Sequence, residues 1–410
     1  MSAVAAPVSV TLVNRIVSLD ALRGIAVLGI LIANIVAFAV PVLTDRQTVQ
    51  LPTVSLDAWI EVVRQWLVAG KFRGMLAILF GVGLHMQFVK RSANQTWPKG
   101  YVRRTFFLAG IGLVHAILIW FGDILFPYAC TALLALLFAK VADRYLLYWI
   151  AGLTTASLFI AIGLMGLMAM MGSMEGGSEA SLGPLKQFLS EPAEIRTYQT
   201  GSYLDQILLR TIIFVVGLFQ LFMLIPELLA LFLVGMLLAR RGFLAKPSAH
   251  PDLLRLGWIG LGIGLVLNAI PVIMYAAGSR FNFSFLIEFS FGAISAFGYL
   301  CLGAVLVERM PQVFRPVQNV GRMALTCYLL QSVLCTFFFY SWGLGWFARL
   351  SSAQMLLVIP VVWVIEIVFA WLWFQRFSIG PVERYWRMAS EKRKIPWRVE
   401  PIEATTPPVA

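Results

Sequence analysis

The sequence predicts an all-α fold, a polytopic transmembrane helical bundle of about ten helices with both termini cytoplasmic, and three observations carry that prediction. Hydrophobic residues make up 60% of the 410 and charged residues 13%, with a mean hydropathy of +0.83, a balance foreign to soluble domains. Apolar stretches of the roughly 20 residues needed to cross about 30 Å of hydrocarbon recur from end to end. Lys and Arg gather in alternate connections between those stretches, which marks the connections that stay in the cytoplasm.

In chain order, spans are expected over 19–41, 73–90, 104–122, 124–140, 145–171, 205–240, 252–276, 285–308, 319–340 and 351–375. The basic connections hold Lys90, Arg91, Lys99, Arg103 and Arg104; Lys140 and Arg144; Arg240, Arg241, Lys246 and Arg255; and Arg309, Arg315 and Arg322. The other set is poorer in cations. Its longest member, after residue 171, carries Glu175, Glu179, Glu191, Glu194 and Asp205 against Lys186 and Arg196. An even number of crossings puts the tail, with Arg376, Arg384, Arg387, Lys392, Arg393, Lys394 and Arg398, beside the basic loops. The net charge of +12 therefore reports topology and attraction to the lipid bilayer, not nucleic acid.

Two segments need separate treatment. Residues 205–240, interrupted by Pro226, are expected to cross once with an extra interfacial turn, because two crossings would put Arg240 and Arg241 outside. Residues 57–70 set Trp59, Ile60, Val63, Trp66 and Leu67 on one helical face and Asp57, Glu61 and Arg64 opposite, the pattern of an amphipathic interfacial helix. The chain thus divides into a cytoplasmic N-terminal segment (1–18), one transmembrane domain (19–375) and a basic cytoplasmic tail (376–410) whose Pro- and Thr-rich end is expected to be disordered.

Several chemistries lack their signatures. The N-terminus has no cationic run before a short apolar core and no cleavage site, so the first span is expected to be an uncleaved anchor. Cys130, Cys301, Cys327 and Cys335 fall inside spans with no close pair and no histidine at ligand spacing, so no metal site or disulfide is expected. Neither a phosphate-binding G-x-x-x-x-G-K-[ST] nor a G-x-S-x-G elbow occurs.

Polar side chains are costly in hydrocarbon, so those inside spans are the candidates for function. Asp20 and Arg23 share a helix face at the cytoplasmic start of span one, with Asn34 about 16 Å further along the same helix. A local salt bridge and a packing amide would account for them equally. Lys71 and Arg73 enter span two from the side that should be poor in cations, where they suit recognition of an anion or snorkelling to headgroups. His115 lies inside an apolar span and Asp123 at the turn that follows. Imidazole suits proton transfer near neutral pH, although contact with Asp123 requires the chain to fold back at Gly122. A lone membrane histidine also serves simply as a helix–helix hydrogen-bonding group. Glu227 follows Pro226, which could open a polar notch. Arg322 and Gln331 sit at the start of span nine, a plausible anion seat or a positive-inside anchor.

These residues lie in blocks that resemble the YeiB family of bacterial membrane proteins, a family classified under a domain of unknown function. The blocks are RIVSLDALRGIAVLGILIAN, KFRGMLAILFGVGLHMQ, the run from His115 to Tyr128, PELLALFLVGMLLARRGFL and GRMALTCYLLQSVLCTFFFYSWGLG. More distantly, Leu19 to Gly24 is similar to the opening helix of the membrane acyltransferase superfamily, whose members pass acyl groups from cytoplasmic thioesters to acceptors across the bilayer. In one branch an Arg is followed by a catalytic His, and here Asn34 stands in its place. The resemblance then implies His115 as base, Asp123 as its orienting partner, Arg23 and Arg322 holding a donor acyl-CoA, and Lys71 with Arg73 guiding a small-molecule or glycan acceptor. No tightly bound cofactor is implied. The rival reading is a proton-coupled transporter or permease that uses the same intramembrane groups, and a third is a membrane sensor or scaffold without catalysis. The expected location is the inner membrane of a bacterium.

Overall fold

The computed structural model describes residues 17–42, 55–174, 190–276 and 286–398. Residues 1–16 of the expected N-terminal segment, residues 175–189 of the acidic connection and the expected disordered end of the tail lie outside them. In chain order the helices are α1 (Val17–Ala39), α2 (Leu56–Leu67), α3 (Lys71–Ala93), α4 (Lys99–Val114), α5 (Leu125–Ala135), α6 (Asp143–Met174), α7 (Glu191–Gln199), α8 (Tyr203–Met223), α9 (Ile225–Arg240), α10 (Pro251–Ala276), α11 (Gly292–Arg309), α12 (Arg315–Arg322), α13 (Ala324–Phe339), α14 (Ser352–Arg376) and α15 (Pro381–Glu391). Among the described residues no strand occurs. Among the described residues eight helical stretches, one of them α2 and α3 together (Leu56–Ala93), are long and apolar enough to cross a membrane, or nine if α12 and α13, bent by 90° at Met323, form one span.

Contacts between helix ends define two faces. On one, Arg240 binds Asp143 at 2.7 Å and the Val141 carbonyl at 2.6 Å, Arg103 donates to the Ser390 carbonyl, and Ser248 is bonded to Glu308 at 2.7 Å. This is the basic face of the charge pattern. On the far face, Glu194 accepts from the Val42 amide at 3.1 Å, the Ala348 amide bonds to the Ala39 carbonyl and Ser341 to that of Tyr198. The alternation read from the loops is therefore reproduced in the packing.

The 205–240 segment resolves into two helices joined at Leu224, so the extra element is a full helix of 21 residues where a turn was expected. Its two ends are both tied to far-side structure: Tyr203 donates to the Leu118 carbonyl at 2.6 Å, and Met223 packs against Leu164, about 31 Å along α6 from Asp143. The crossing is made by α9, which starts beside Arg73 and ends at Arg240.

With lipid as apolar as leucine, helix association needs close backbone approach, and small residues supply it. Side-chain atoms on Gly235 would sit 1.9 Å from the Ile78 carbonyl and on Gly81 2.0 Å from that of Phe232, so α3 and α9 interlock by reciprocal glycines. Gly24 against Val317 and Gly321 against Asp20 join α1 to α12 in the same way, at 2.1 and 1.7 Å. Leu22, Ile78, Leu228, Phe232 and Leu300 fill the core between these helices.

The amphipathic helix α2 forms over the expected residues but presents its faces the other way round. Trp59 and Val63 are exposed, whereas Arg64 is buried and donates to Glu61 and to the Ala33 carbonyl at 2.9 Å. Apolar residues look toward lipid and polar ones into the protein, as a helix packed on a bundle within the bilayer requires.

Three helices fall short of the membrane width. The run Leu125–Phe138 is 14 residues, about 21 Å, and α9 and α13 have 16 each, about 24 Å against about 30 Å of hydrocarbon. Each begins beside a carboxylate. Asp123 Oδ2 accepts from the Phe126 amide of α5 at 2.6 Å, Glu227 lies in the first turn of α9, and Glu383 of α15 accepts from the Leu325 and Thr326 amides of α13 at 2.8 and 3.0 Å. Orphan N–H groups cost several kcal/mol away from water, so short helices in this setting need such acceptors.

Candidate functional site

The polar centre of the bundle forms where α4 ends. At His115 the helix widens into one π-type turn over His115–Ile119, and Trp120 is extended with φ −157° and ψ 128°. This double change reverses the chain within Trp120 to Asp123. It brings His115 Nδ1 to 2.9 Å from Asp123 Oδ1, with both side chains essentially excluded from solvent. The fold-back required at Gly122 is thus achieved by a wide turn and an extended residue together.

Charge and proton positions follow from the bonding. Asp123 accepts the Phe126 amide through one oxygen and faces His115 with the other, and a carboxylate with two such neighbours acts as acceptor at both. Nδ1 of His115 then carries the proton and donates, which leaves Nε2 as the basic nitrogen. Nε2 is buried and has no partner among the described residues. Tyr328 covers the dyad: its ring lies 5.2 Å from the imidazole and its hydroxyl accepts from the Ile124 amide at 3.2 Å. Trp120, stacked on Phe38 at 3.9 Å, closes the far side.

The other expected residues fall into separate groups. Arg73 and Glu227 form a two-pronged ion pair at 2.9 and 3.3 Å, and Tyr128 donates to the Arg73 carbonyl. Lys71 is completely buried and donates to the Gln65 carbonyl at 3.2 Å. Neither cation stands in an open vestibule, because α2 and α3 run on without a sharp bend as one apolar stretch over Leu56–Ala93, which puts Lys71 and Arg73 inside it and not at its mouth. Asp20 and Arg23 pair at 3.5 Å, with a third of the Arg23 side chain exposed beside Gly83. Arg322 lies 3.7 Å over the Phe374 ring and donates to Asn319. Asn34 is half-buried on α1. Gln331 donates to the Val27 carbonyl at 3.0 Å and to Glu366 at 2.8 Å.

Glu366 is a residue that the reading of the sequence passed over. It is fully buried in the middle of α14, and its position in an apolar span was the available signal. Arg210 was missed for the same reason. Glu383 was read as part of a basic tail; burial there pushes its carboxyl above the usual range, opposed by its bonds to Thr326 and the α13 amides.

Two cavities open on the surface of the described residues. One, about 490 Å³, runs along the outer face of α4 between Lys99, Arg103, Phe106, Phe107 and Gly110. The other, about 410 Å³, lies at the far end and is lined by Leu118, Ile119, Tyr203, Val333, Thr336 and Trp342. Leu118 and Ile119 belong to the wide turn that His115 opens, and Val333 and Thr336 lie on the helix that carries Tyr328. The far cavity and the dyad therefore share a wall. Among the described residues no cluster of His, Cys, Asp and Glu could hold a metal ion.

A family model described as "Protein of unknown function (DUF418)" matches residues 238–393. The chain is 30% identical over 406 residues to "Uncharacterized protein YxaH" of Bacillus subtilis, covering 93% of this chain and 95% of that one. It is 27% identical over 390 residues to "Uncharacterized protein YeiB" of Escherichia coli, covering 91% and 96%, and 28% identical to an uncharacterized 39.9 kDa protein of Bacillus acidopullulyticus, covering 94% and 97%. No solved structure matches. Similarity of this extent over nearly the whole of each chain, on an all-α membrane bundle, makes this protein a member of the DUF418 family, with YxaH and YeiB.

Proposed function

We propose that the protein is a transmembrane acyltransferase in which His115 is the general base. The observation that carries this reading is the His115–Asp123 pair at 2.9 Å with Nε2 buried and unpartnered. An aspartate that fixes the tautomer and steadies the imidazolium is what a base needs.

In the proposed reaction Nε2 takes the proton of an acceptor hydroxyl or amine arriving from the far side. The acceptor atom attacks the thioester carbonyl of an acyl-CoA, the new C–O or C–N bond forms, the C–S bond breaks, and the imidazolium returns the proton to the thiolate. Arg23, partly exposed at the basic face, and Arg322 would meet the donor phosphates there. The bacterial inner membrane, with the basic face inward, supplies a donor from one side and an acceptor from the other. Transport remains the second reading because Glu366 and the Arg73–Glu227 pair put carboxylates deep in the bundle, as proton-coupled carriers do.

The test uses protein reconstituted in lipid vesicles, with acetyl-CoA outside and inside in separate preparations. Thiol release and labelled acyl product are followed for wild type, His115→Ala and Asp123→Asn. Product formed by wild type and lost in His115→Ala, with normal insertion, supports the assignment. Wild-type turnover in His115→Ala removes it, and pH-gradient-driven solute uptake without thiol release replaces it with transport.

A further inference from the structure

Arg210 is the least satisfied charge in the described part of the bundle. Its side chain has no solvent exposure. Nη1 donates to the Ile119 carbonyl at 2.8 Å and the guanidinium lies 5.2 Å from the centre of the Tyr203 ring, but Nε and Nη2 are buried with no partner. Among the described residues no carboxylate comes within ion-pair distance of it. Glu194, the nearby acid, turns both oxygens to the Val42 amide. A buried guanidinium normally has an anion, since an uncompensated charge away from water is strongly unfavourable. Ile119 and Tyr203, which Arg210 contacts, both line the far cavity of about 410 Å³, and the guanidinium is buried behind them.

The rest of the lining says what kind of molecule fits. Leu118, Tyr203, Val333 and Trp342 are each more than a third exposed, so the cavity opens outward, where a helix bundle in a bilayer meets lipid. Tyr203 and Trp342 are the residue types that settle at headgroup depth, while Leu118 and Val333 are apolar. A buried cation behind the wall and an aromatic and aliphatic mouth match an amphiphile, not a free ion. We infer that this cavity is a binding site for a phosphate-headed lipid, its phosphate held by Arg210 and its chain lying over Leu118 and Val333, entered sideways from the far leaflet. Guanidinium suits phosphate because its planar donors pair with two oxygens at once. The inference concerns binding and does not require the transferase reading.

The experiment titrates dioleoyl-phosphatidylglycerol into the purified full chain in detergent, with dioleoyl-phosphatidylcholine and inorganic phosphate as separate ligands, and counts bound molecules by native mass spectrometry. Saturable binding of the anionic lipid at least tenfold tighter than of phosphatidylcholine is expected, with at least a tenfold loss in Arg210→Gln. Val333→Trp, which fills the mouth from an exposed rim position and leaves the charge in place, should lose binding to the same degree and covers the case in which Arg210→Gln does not fold. Unchanged lipid binding in Val333→Trp or in folded Arg210→Gln overturns the site and moves the lipid elsewhere, with the Lys99–Arg103 groove as the next place to look. Inorganic phosphate binding that is lost in Arg210→Gln, without lipid preference, overturns the amphiphile and leaves a free-anion site.

Discussion

Removing Glu227 tests whether the deep ion pair holds the short helix α9 in place. The side chain of Glu227 is 1% exposed and that of Arg73 15%, and two bonds of 2.9 and 3.3 Å join them. Glu227→Ala leaves a mostly buried guanidinium facing the first turn of α9 without its counter-charge, a change that costs about 3–5 kcal/mol. An equilibrium constant shifted by 3 kcal/mol moves by roughly two orders of magnitude. Replacing both partners by apolar residues of similar volume, Arg73→Met with Glu227→Leu, removes the charge to be compensated and should recover most of that loss. The assay is reversible unfolding of purified protein in mixed micelles by rising dodecyl sulfate, followed by far-UV circular dichroism. A Glu227→Ala protein within about 0.5 kcal/mol of wild type, the range of an indifferent surface change, would show that the pair does not organise this part of the bundle.

Other expectations follow from the same geometry. Gly235→Val should destabilise the protein by more than the ~1–3 kcal/mol typical of overpacking, because the contact is with the Ile78 carbonyl at 1.9 Å and backbone cannot move aside; a monodisperse peak with unchanged melting temperature in size-exclusion and thermal assays would contradict it. Asp123→Asn keeps an oxygen for the Phe126 amide but takes the acceptor away from Nδ1, so insertion should survive while acyl transfer falls by about 10²–10⁴-fold, read as thiol release from acetyl-CoA. Glu383, outside the spans, has its carboxyl raised above 4.5 by burial. Between 4.5 and that raised value the folded protein binds a proton that the unfolded chain does not, so this group favours the fold most below the window and less as pH rises through it. Glu383→Gln, able to accept the two α13 amides and donate to Thr326, should be level with wild type at pH 4.5, more stable than it at pH 8, and flatter between them in a melting series.

The spans were legible because hydrocarbon demands long apolar runs, and their order was legible because basic residues alternate with sparse ones. What could not be read was the depth at which a helix starts. The run 319–340 looks continuous, yet Met323 turns the chain by 90°, leaving Arg322 on the α12 side of the bend and Gln331 within α13. Lys71 was visible as an anomaly, but not that α2 would prolong the span beyond it, since the charged face of α2 reads as that of an interfacial helix. His115 and Asp123 stood out by type. Their contact depended on a π-type turn followed by an extended Trp120, and neither leaves a mark in periodicity. Glu366 and Arg210 were readable in principle, one ionisable group in an otherwise apolar segment each, and were masked by the more conspicuous runs around them.

The short helices explain why ionisable groups are inside at all. A helix that begins at depth presents free N–H groups, and a carboxylate is the side chain that accepts from several at once. A buried carboxylate in turn needs its own donors. Glu383 takes the Thr326 hydroxyl at 2.6 Å, Glu227 takes Arg73, and Asp123 takes His115. A threonine hydroxyl stays neutral and an arginine stays charged, so neither of those partners passes a proton on. Imidazole alone among the three partners has one nitrogen that can give a proton and another that can take one. Its second nitrogen is also the one polar atom in the three arrangements left without a partner while a cavity shares its wall. A carboxylate at the start of a short helix, common to all three, thus has chemical capacity at one of them, and that is the reason to begin with His115 when looking for activity.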